Sequence, residues 1–157
     1  MGVTDRFDMS GRVAILSGAG RGIGAASAIA LAEAGADIAV LARSVDQLES
    51  VAAAARALGR RAIAIPTDAN DPDAVAAAVQ RTVDELGRID TVVGVVGGSM
   101  PQPFMNTRDK DLRAAFENNV INGLRLVREC VPHLLTAGGG RLGASSVVMV
   151  SSAIGHV

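Results

Sequence analysis

Tyrosine and tryptophan are absent from the 157 residues, and cysteine and lysine occur once each. The single Cys130 excludes an internal disulfide, and with only His133 near it in sequence we predict no metal site. Fifteen basic against sixteen acidic residues give a formal charge of -1, which provides no electrostatic basis for nucleic acid or an anionic membrane as the main partner. The partner is therefore expected to bind in a defined site.

Long apolar runs are also missing. No stretch approaches the roughly 18 residues that a membrane-spanning helix needs, and residues 1–6 are polar where a secretory signal would be apolar. We therefore expect a cytoplasmic location, which also suits an unpaired cysteine. With 49% hydrophobic and 20% charged residues, the composition is that of one globular domain, which we assign to residues 1–157.

Short apolar runs alternate along the chain with segments of helical pattern. This alternation is typical of an α/β, doubly wound parallel sheet with helices on both faces. The strands are predicted at Val13–Leu16, Asp37–Leu41, Arg61–Ile65, Asp90–Val96 and Val147–Val150. The helices are predicted at Ile23–Ala34, Ser44–Leu58, Asp71–Gly87 and Arg108–Leu135, the last with an apolar row at Leu112, Phe116, Val120, Leu124 and Val127. Ser44, with Gln47 three residues later, predicts a capping box at the start of the second helix.

A glycine-rich turn follows the first predicted strand and opens the first predicted helix. Glycines here let the backbone approach a pyrophosphate at a helix N-terminus. An isolated turn of this kind is equally compatible with a tight connection that binds nothing, but its position after the first strand favours a nucleotide site. The turn consists of Ser17, Gly18, Ala19, Gly20, Arg21, Gly22, Ile23 and Gly24.

The glycine spacing matches the Gly-x-x-x-Gly-x-Gly pattern of the short-chain dehydrogenase/reductase family, which the chain resembles from about Arg12 onward. The resemblance implies a Rossmann-like doubly wound sheet, truncated after the fifth strand. It also implies an oxidoreductase that transfers a hydride between NAD(P) and a carbonyl or alcohol carbon. The cofactor-binding residues that it implies in the turn are Gly18, Gly20, Arg21, Gly22, Ile23 and Gly24.

Arg43 lies just after the second predicted strand, about where dinucleotide folds carry an acid for a ribose 2'-hydroxyl or a base for a 2'-phosphate. A guanidinium matches phosphate through charge-assisted hydrogen bonds, so Arg43 with Arg21 favours NADP, with NAD as the less favoured cofactor. Two alternatives stay open. In the first, both arginines are solvated surface charges. In the second, the glycine-rich turn belongs to a SAM-dependent methyltransferase, although such enzymes commonly carry an acid where this chain has Arg43.

The resemblance implies three further cofactor contacts. Asp68 matches the family aspartate that contacts the adenine amino group, with Ala69 beside it, although a turn or capping role for Asp68 is an alternative. Where the family has Asn-Asn-Ala-Gly after the fourth strand, this chain has residues 94–97 as Gly-Val-Val-Gly. The bracing asparagines are therefore missing, while Gly97 still leaves backbone room beside the cofactor.

Two catalytic residues are implied by the same resemblance. Asn119 in the long helix matches the asparagine that holds a water of the family's proton relay, and Ser152 matches the serine that hydrogen-bonds the substrate carbonyl. The family's Tyr-x-x-x-Lys segment, whose tyrosine transfers the proton, is absent, and Lys110 lies far upstream. We therefore predict a fragment of a longer reductase that is not active by itself. A dinucleotide-binding module without catalysis is the alternative.

The partner implied for the longer protein is a small-molecule carbonyl or alcohol. Residues 99–106 are interpreted as one wall of the substrate pocket. An open edge along Val147–Val150 predicts that the isolated chain self-associates, and the full-length form is expected to be a homo-oligomer.

Overall fold

A computed structural model describes residues 7–98, 102–139 and 144–152. Strands and helices alternate in the predicted order, and all five predicted strands are present. The strands are β1 Val13–Ser17, β2 Asp37–Ala42, β3 Ala62–Pro66, β4 Thr91–Gly94 and β5 Ser146–Met149. The helices are α1 Gly22–Glu33, α2 Val45–Ala57, α3 Pro72–Leu86, α4 Asp109–Phe116 and α5 Asn122–Gly138, with a 3-10 turn at Phe104–Asn106 and a π-helical turn at Glu117–Ile121.

The five strands form one parallel sheet in the order β3-β2-β1-β4-β5. The chain winds outward from β1 to β3 and then returns to place β4 on the other side of β1. This reversal opens a crevice at the carboxyl ends of β1 and β4, which is where open α/β sheets bind their ligands. The predicted doubly wound α/β fold is confirmed.

Side chains of β1 alternate between two core layers, as the two-residue period of a strand requires. Val13 and Ile15 pack in the layer that contains α3 and α5, whereas Ala14 and Leu16 pack in the layer that contains α1 and α2. All four side chains are buried. The uninterrupted apolar run of this strand therefore reflects coverage of the sheet on both faces.

The ends of α3 follow from local chemistry. The Asp71 carboxylate accepts the backbone N–H groups of Asp73 and Ala74 at 3.0 and 3.1 Å, and Pro72 occupies the first helical position. Gly87 ends the helix with φ 90, in the left-handed region that favours glycine. The predicted boundaries of this helix are confirmed.

The helix predicted over Arg108–Leu135 is interrupted by the π turn, which is a correction to the prediction. A π turn inserts an extra residue into the helical repeat and so rotates the side chains that follow it about the helix axis. Val127 packs against the core, but the rest of the predicted apolar row is exposed. The exposed fractions are 60% for Leu112, 58% for Phe116, 37% for Val120 and 52% for Leu124.

The sheet edge at β5 is open within the described residues, where β5 pairs only with β4. Val147 to Val150 are all exposed. β4 is shorter than predicted and ends at Gly94, so residues 95–98 form a loop. In the part of the chain that the structure covers, no helix has both the length and the apolar character needed to cross a membrane.

Cys130 lies on α5 and is fully buried in the core layer shared with α3. Burial raises the pKa of its thiol to about 12, and the Glu129 carboxylate adds to the shift. We expect the folded chain to resist a disulfide reagent such as DTNB at pH 8 and to react fully after unfolding in urea, because the thiolate is the reactive form. Rapid reaction of the native chain would contradict the packing of α5.

The raised pKa of Cys130 also sets a pH dependence. Above the ordinary thiol value of 9.0 the unfolded chain loses this proton first, so the stability from the neutral thiol declines as the pH rises toward about 12. The absence of tyrosine from the chain removes the phenol groups that normally titrate in this window.

Candidate functional site

A cleft of about 610 Å³ opens at the carboxyl ends of β1, β2 and β4, within the size range of cofactor pockets. Its walls combine glycines and small side chains with two arginines and one carboxylate. The lining residues are Ser17, Gly18, Gly20, Arg21, Gly22, Ile23, Leu41, Ala42, Arg43, Ser44, Gln47, Thr67, Asp68, Ala69, Asn70, Val75, Val95, Val96, Gly97, Asn118, Asn122 and Leu126.

The turn after β1 requires glycine at two positions for different reasons. Gly18 has φ 71, in the left-handed region. Gly24 lies in the first turn of α1, and a Cβ built there would overlap the Gly18 carbonyl oxygen and stand 2.8 Å from the Gly18 carbonyl carbon. The missing side chain lets α1 start directly against the turn. Gly24 is therefore buried behind the turn and does not line the cleft.

The N-terminus of α1 faces the cleft without a cap. Arg21 is the N-cap residue, its side chain makes no capping hydrogen bond, and the first turn contains no acidic residue. The first N–H groups of a helix lack intrahelical acceptors and carry partial positive charge. Gly22 leaves open space where a Cβ would stand, so this end stays accessible. The arrangement suits an anion such as a pyrophosphate.

The end of β2 adds positive charge to the same part of the cleft. Arg43 follows β2 directly and is exposed, and it lines the cleft together with Arg21. Gln47, in the first turn of α2, lies over the glycine turn, with its Oε1 3.1 Å from the Cβ position of Gly20. The single acidic side chain in the lining belongs to a different loop, after β3.

The expected capping box at the start of α2 is wrong. Ser44 does occupy the N-cap position, but its side chain makes no capping hydrogen bond. Both Ser44 and its expected partner Gln47 line the cleft. The residue types at 44 and 47 therefore predicted the start of α2 correctly. They did not predict that both side chains line the cleft.

The loop after β3 carries Asp68, Ala69 and Asn70, all of which line the cleft. Oδ1 of Asp68 accepts the Asn70 N–H at 3.0 Å, which is the turn role considered as an alternative for this residue. The turn role and a place in the cleft therefore coexist. Arg125 of α5 donates a hydrogen bond to the Ala69 carbonyl at 3.1 Å, so the loop is fastened to α5.

The loop after β4 is held by two asparagines of the π turn. Oδ1 of Asn119 accepts the Gly98 N–H at 2.7 Å, and its Nδ2 donates to the carbonyls of Ala115 at 2.7 Å and Gly98 at 3.3 Å. Nδ2 of Asn118 also donates to the Gly98 carbonyl, at 3.0 Å. Residues 94–97 contain no asparagine, as the sequence shows, and the bonds that hold this loop come from the helix instead.

Gly97 and Asn122 line the cleft beside the loop after β4. A Cβ on Gly97 would stand 2.9 Å from Oδ1 of Asn119, so the glycine makes room for the asparagine contacts. Asn122 is 3% exposed, lines the cleft, and donates from Nδ2 to the Asn118 carbonyl at 2.6 Å. Side-chain donors thus satisfy carbonyls around the π turn, a feature that is frequent at functional sites.

Met149 of β5 occupies the space beside Gly94, where the family has the first asparagine of its Asn-Asn-Ala-Gly segment. A Cβ on Gly94 would stand 2.6 Å from Cε of Met149, and a Cβ on Gly123 would overlap the same methyl group. The thioether therefore fills the space between β4 and α5, as the flexible methionine side chain often does in irregular gaps.

The cleft gathers every predicted cofactor-binding residue except Gly24. The two predicted catalytic residues are not in its lining: Asn119 lies behind Gly97, and Ser152 is an exposed residue just beyond β5. Of the predicted substrate wall, residues 99–101 lie outside the described residues, and Phe104 and Met105 are 87% and 89% exposed. The lining also includes the polar side chains of Gln47, Asn118 and Asn122, which were not predicted as site residues, because they lie outside the glycine-rich turn and the strand ends on which the prediction depended.

The sheet order and the uncapped, glycine-lined helix N-terminus at its switch point define a Rossmann-type nucleotide-binding fold. The family pattern described as short chain dehydrogenase matches residues 12–157. The chain belongs to the short-chain dehydrogenase family, as its glycine turn predicted. It is 39% identical over 155 residues to an uncharacterized oxidoreductase of Mycobacterium tuberculosis, an alignment that covers 99% of this chain and 57% of that protein.

Solved structures of the family superpose closely on the chain. A short-chain type dehydrogenase/reductase from Mycobacterium marinum has a TM-score of 0.90 at 32% identity, covering 100% of this chain and 62% of that one. A carveol dehydrogenase from Mycobacterium avium in complex with NAD has a TM-score of 0.87 at 29% identity, covering 96% and 57%. The chain therefore spans less than two thirds of the length of these relatives.

Proposed function

We propose that this chain is the dinucleotide-binding part of an NADP-dependent oxidoreductase that reduces a carbonyl or oxidises a secondary alcohol of a small molecule. The observation that carries the proposal is the cleft, in which an uncapped helix N-terminus lies beside Arg21 and Arg43. Backbone N–H groups there would hold the pyrophosphate, and the guanidinium groups would hold the 2'-phosphate. NADP, when bound, supplies the hydride chemistry.

The preference for NADP rests on the end of β2. The carveol dehydrogenase was solved with NAD, so family membership alone leaves both cofactors open. An enzyme that selects NAD commonly has an acid here, which would repel a 2'-phosphate. This chain has Arg43, and the one acid in the lining, Asp68, lies after β3, where we propose that it contacts the adenine amino group.

The proposal also includes the predicted residues outside the phosphate-binding part of the cleft. Ser152 would hydrogen-bond the substrate carbonyl, and Ala69 and Gly97 would line the cofactor. Asn119 has its side-chain amide engaged with Gly98 and Ala115, so we propose that it acts first as a positioning residue for the wall beside Gly97. Its place in a proton relay stays a prediction.

The 157 residues contain no tyrosine, so the family's usual proton donor is not among them. We therefore propose that they bind NADP without turning over a ketone. A dinucleotide-binding module without catalysis is the second candidate, and the same absence favours it. A ketone-reduction assay on the complete protein separates the two, because only the first candidate predicts turnover there.

The test is a titration of the 157-residue chain with NADPH and NADH, followed by nicotinamide fluorescence. We expect NADPH to bind about tenfold or more tightly than NADH, since a hydrogen bond to a charged group contributes roughly 1.5–3 kcal/mol. Arg43→Glu should weaken NADPH binding by about 100-fold and leave NADH binding nearly unchanged. Arg128→Glu, at an exposed arginine of α5 outside the cleft, is the matched control.

Equal affinity for the two cofactors, or an Arg43→Glu variant that binds NADPH like the parent chain, would reject the NADP assignment. No binding of either cofactor by a folded chain would reject the dinucleotide site itself. Turnover of a ketone by the 157 residues would show that the proton donor is not the family tyrosine.

We further propose that the full-length protein is a cytoplasmic homo-oligomer. What supports self-association is the exposure of the apolar side chains of Leu112, Phe116 and Leu124, together with the open edge at β5.

A further inference from the structure

Arg125 connects three parts of the molecule from behind the cleft, without being part of its lining. Its side chain is 17% exposed. Nη1 donates to the Ala69 carbonyl at 3.1 Å, and Nη2 donates to Oε1 of Glu117 at 2.8 Å. One guanidinium of α5 therefore joins the π turn to the loop that follows β3.

The Ala69 carbonyl belongs to the same peptide group as the Asn70 N–H. That N–H donates to Oδ1 of Asp68 at 3.0 Å. In a trans peptide the carbonyl and the N–H point in opposite directions, so Arg125 holds one side of this peptide plane and Asp68 the other. A charged donor on the carbonyl also polarises the peptide and strengthens the bond from its N–H. The orientation of the Asp68 carboxylate therefore depends on a peptide group that Arg125 fixes.

The Asp68 carboxylate has one oxygen engaged and one available. Oδ1 accepts from Asn70, while Oδ2 makes no hydrogen bond to any residue in the described ranges 7–98, 102–139 and 144–152. Asp68 lines the cleft and is the one acid that does so among these residues. A carboxylate oxygen accepts hydrogen bonds only, so the ligand group that it selects is a donor such as an amino group.

We propose that Arg125 is a positioning residue for base recognition: by fixing the 69–70 peptide it holds Asp68 so that its second oxygen accepts from the exocyclic amino group of adenine. The inference rests on the proposed function, since it takes the ligand to be an adenine dinucleotide. Glu117 neutralises the guanidinium on its outer side, so Arg125 contributes orientation more than net charge to the cleft.

A purely structural role for Arg125 predicts a different result from a positioning role. Loss of structural support would weaken the binding of every dinucleotide to the same extent. Loss of positioning weakens only the binding that depends on the adenine amino group. The measurement that distinguishes them is the ratio of the dissociation constants of NADPH and its hypoxanthine analogue, in which a carbonyl oxygen replaces the amino group.

The experiment compares the parent chain with Arg125→Met, Arg125→Lys and the control Arg128→Met, an exposed arginine on the same helix. For the parent chain we expect NADPH to bind about tenfold tighter than the analogue, the discrimination of one hydrogen bond to a charged acceptor. Arg125→Met should reduce this ratio to about twofold, mainly through weaker NADPH binding. Arg125→Lys keeps a cation and a donor and should restore part of the ratio, while Arg128→Met should leave it unchanged.

Each contrary outcome has a separate meaning. If Arg125→Met weakens both ligands equally, or leaves the ratio at the parent value, the positioning role is rejected. If the parent chain binds NADPH but does not distinguish the analogue, the inference fails while the proposed function stands. If the parent chain binds neither ligand, both fail.

A second variant covers the case in which Arg125→Met does not fold. Glu117→Ala removes the outer partner of the guanidinium at a position that is 42% exposed and leaves Arg125 in place. We expect this variant to lower the ratio about twofold, because the freed guanidinium holds the Ala69 carbonyl less firmly. An unchanged ratio in a folded Glu117→Ala chain counts against the proposal.

Discussion

Gly24→Ala is expected to destabilise the chain by about 3 kcal/mol and to abolish NADPH binding, even though alanine is the better helix former. The new Cβ would overlap the Gly18 carbonyl oxygen and stand 2.8 and 3.0 Å from the Gly18 carbonyl carbon and the Ala19 Cα. These are backbone atoms of a tight turn, so they cannot rotate away as a side chain would. Either α1 moves outward or the turn opens, and each change moves N–H groups that face the cleft.

The expected change in stability for Gly24→Ala is opposite in sign to the effect of this substitution in an ordinary helix. In an unconstrained helix the same substitution stabilises by roughly 0.5–1 kcal/mol, so destabilisation is specific to the contact with Gly18. Urea unfolding followed by circular dichroism measures the change, and NADPH fluorescence measures binding. Ala26→Leu, on the exposed side of α1, is the control for added bulk and should change neither quantity appreciably. A Gly24→Ala chain as stable as the parent would contradict the close packing of α1 on the turn.

The positions of the central strands along the chain could be predicted well from the sequence, because burial on both faces makes each of them a short apolar run. β1 and β2 have this character, and both lie in the middle of the sheet. The ends of α3 were predictable for a similar reason, since Asp71, Pro72 and Gly87 each act on their own helix terminus. Local chemistry is sufficient wherever a residue's partner lies within a few positions along the chain.

The long helix shows where this reasoning fails. A row of apolar residues at four-residue spacing predicts one buried face, but the pattern contains no sign of the π turn at Glu117–Ile121. That turn depends on side chains that bind carbonyls, including Asn122 on Asn118 and Asn119 on Ala115 and Gly98. These contacts depend on where the loop after β4 lies, which no local pattern specifies. The exposure of Leu112 and Phe116 could not be foreseen either, because the pattern does not show which elements pack against the helix.

Some residues of the candidate site could be predicted from the sequence and others could not. Gly18 and Arg43 were predictable because the turn after β1 and the end of β2 occupy fixed places in this fold. Arg125 and Gln47 reach the site from helices, and their roles depend on which way a long, flexible side chain extends. Residues 94–97, which replace the family's Asn-Asn-Ala-Gly, show what a sequence cannot predict. The sequence shows the loss of two asparagines, but only the structure shows that Asn118 and Met149 occupy the space and hydrogen-bonding positions nearby.

Asp90 is a buried acidic residue directly before β4 that bonds to both neighbouring strands. It is 1% exposed, and its carboxylate accepts the Val13 N–H at 2.9 Å and two bonds from Arg88 at 2.8 and 2.7 Å. Its backbone N–H donates to the Val13 carbonyl, and its carbonyl accepts the Ser146 N–H, both at 2.9 Å. One residue therefore ties β4 to β1 on one side and to β5 on the other.

We expect Asp90→Ala to lower the free energy of unfolding by about 3 kcal/mol, because it leaves the buried Val13 N–H without an acceptor and removes the partner of Arg88. The value lies at the low end for a broken buried pair, since the Arg88 side chain is 44% exposed and water can solvate the freed guanidinium. Asp90→Asn keeps an acceptor for Val13 and should cost only about half as much. Urea unfolding of the three chains gives the order, and equal losses for Ala and Asn would mean that the charge on Asp90, rather than its bond to β1, holds the sheet.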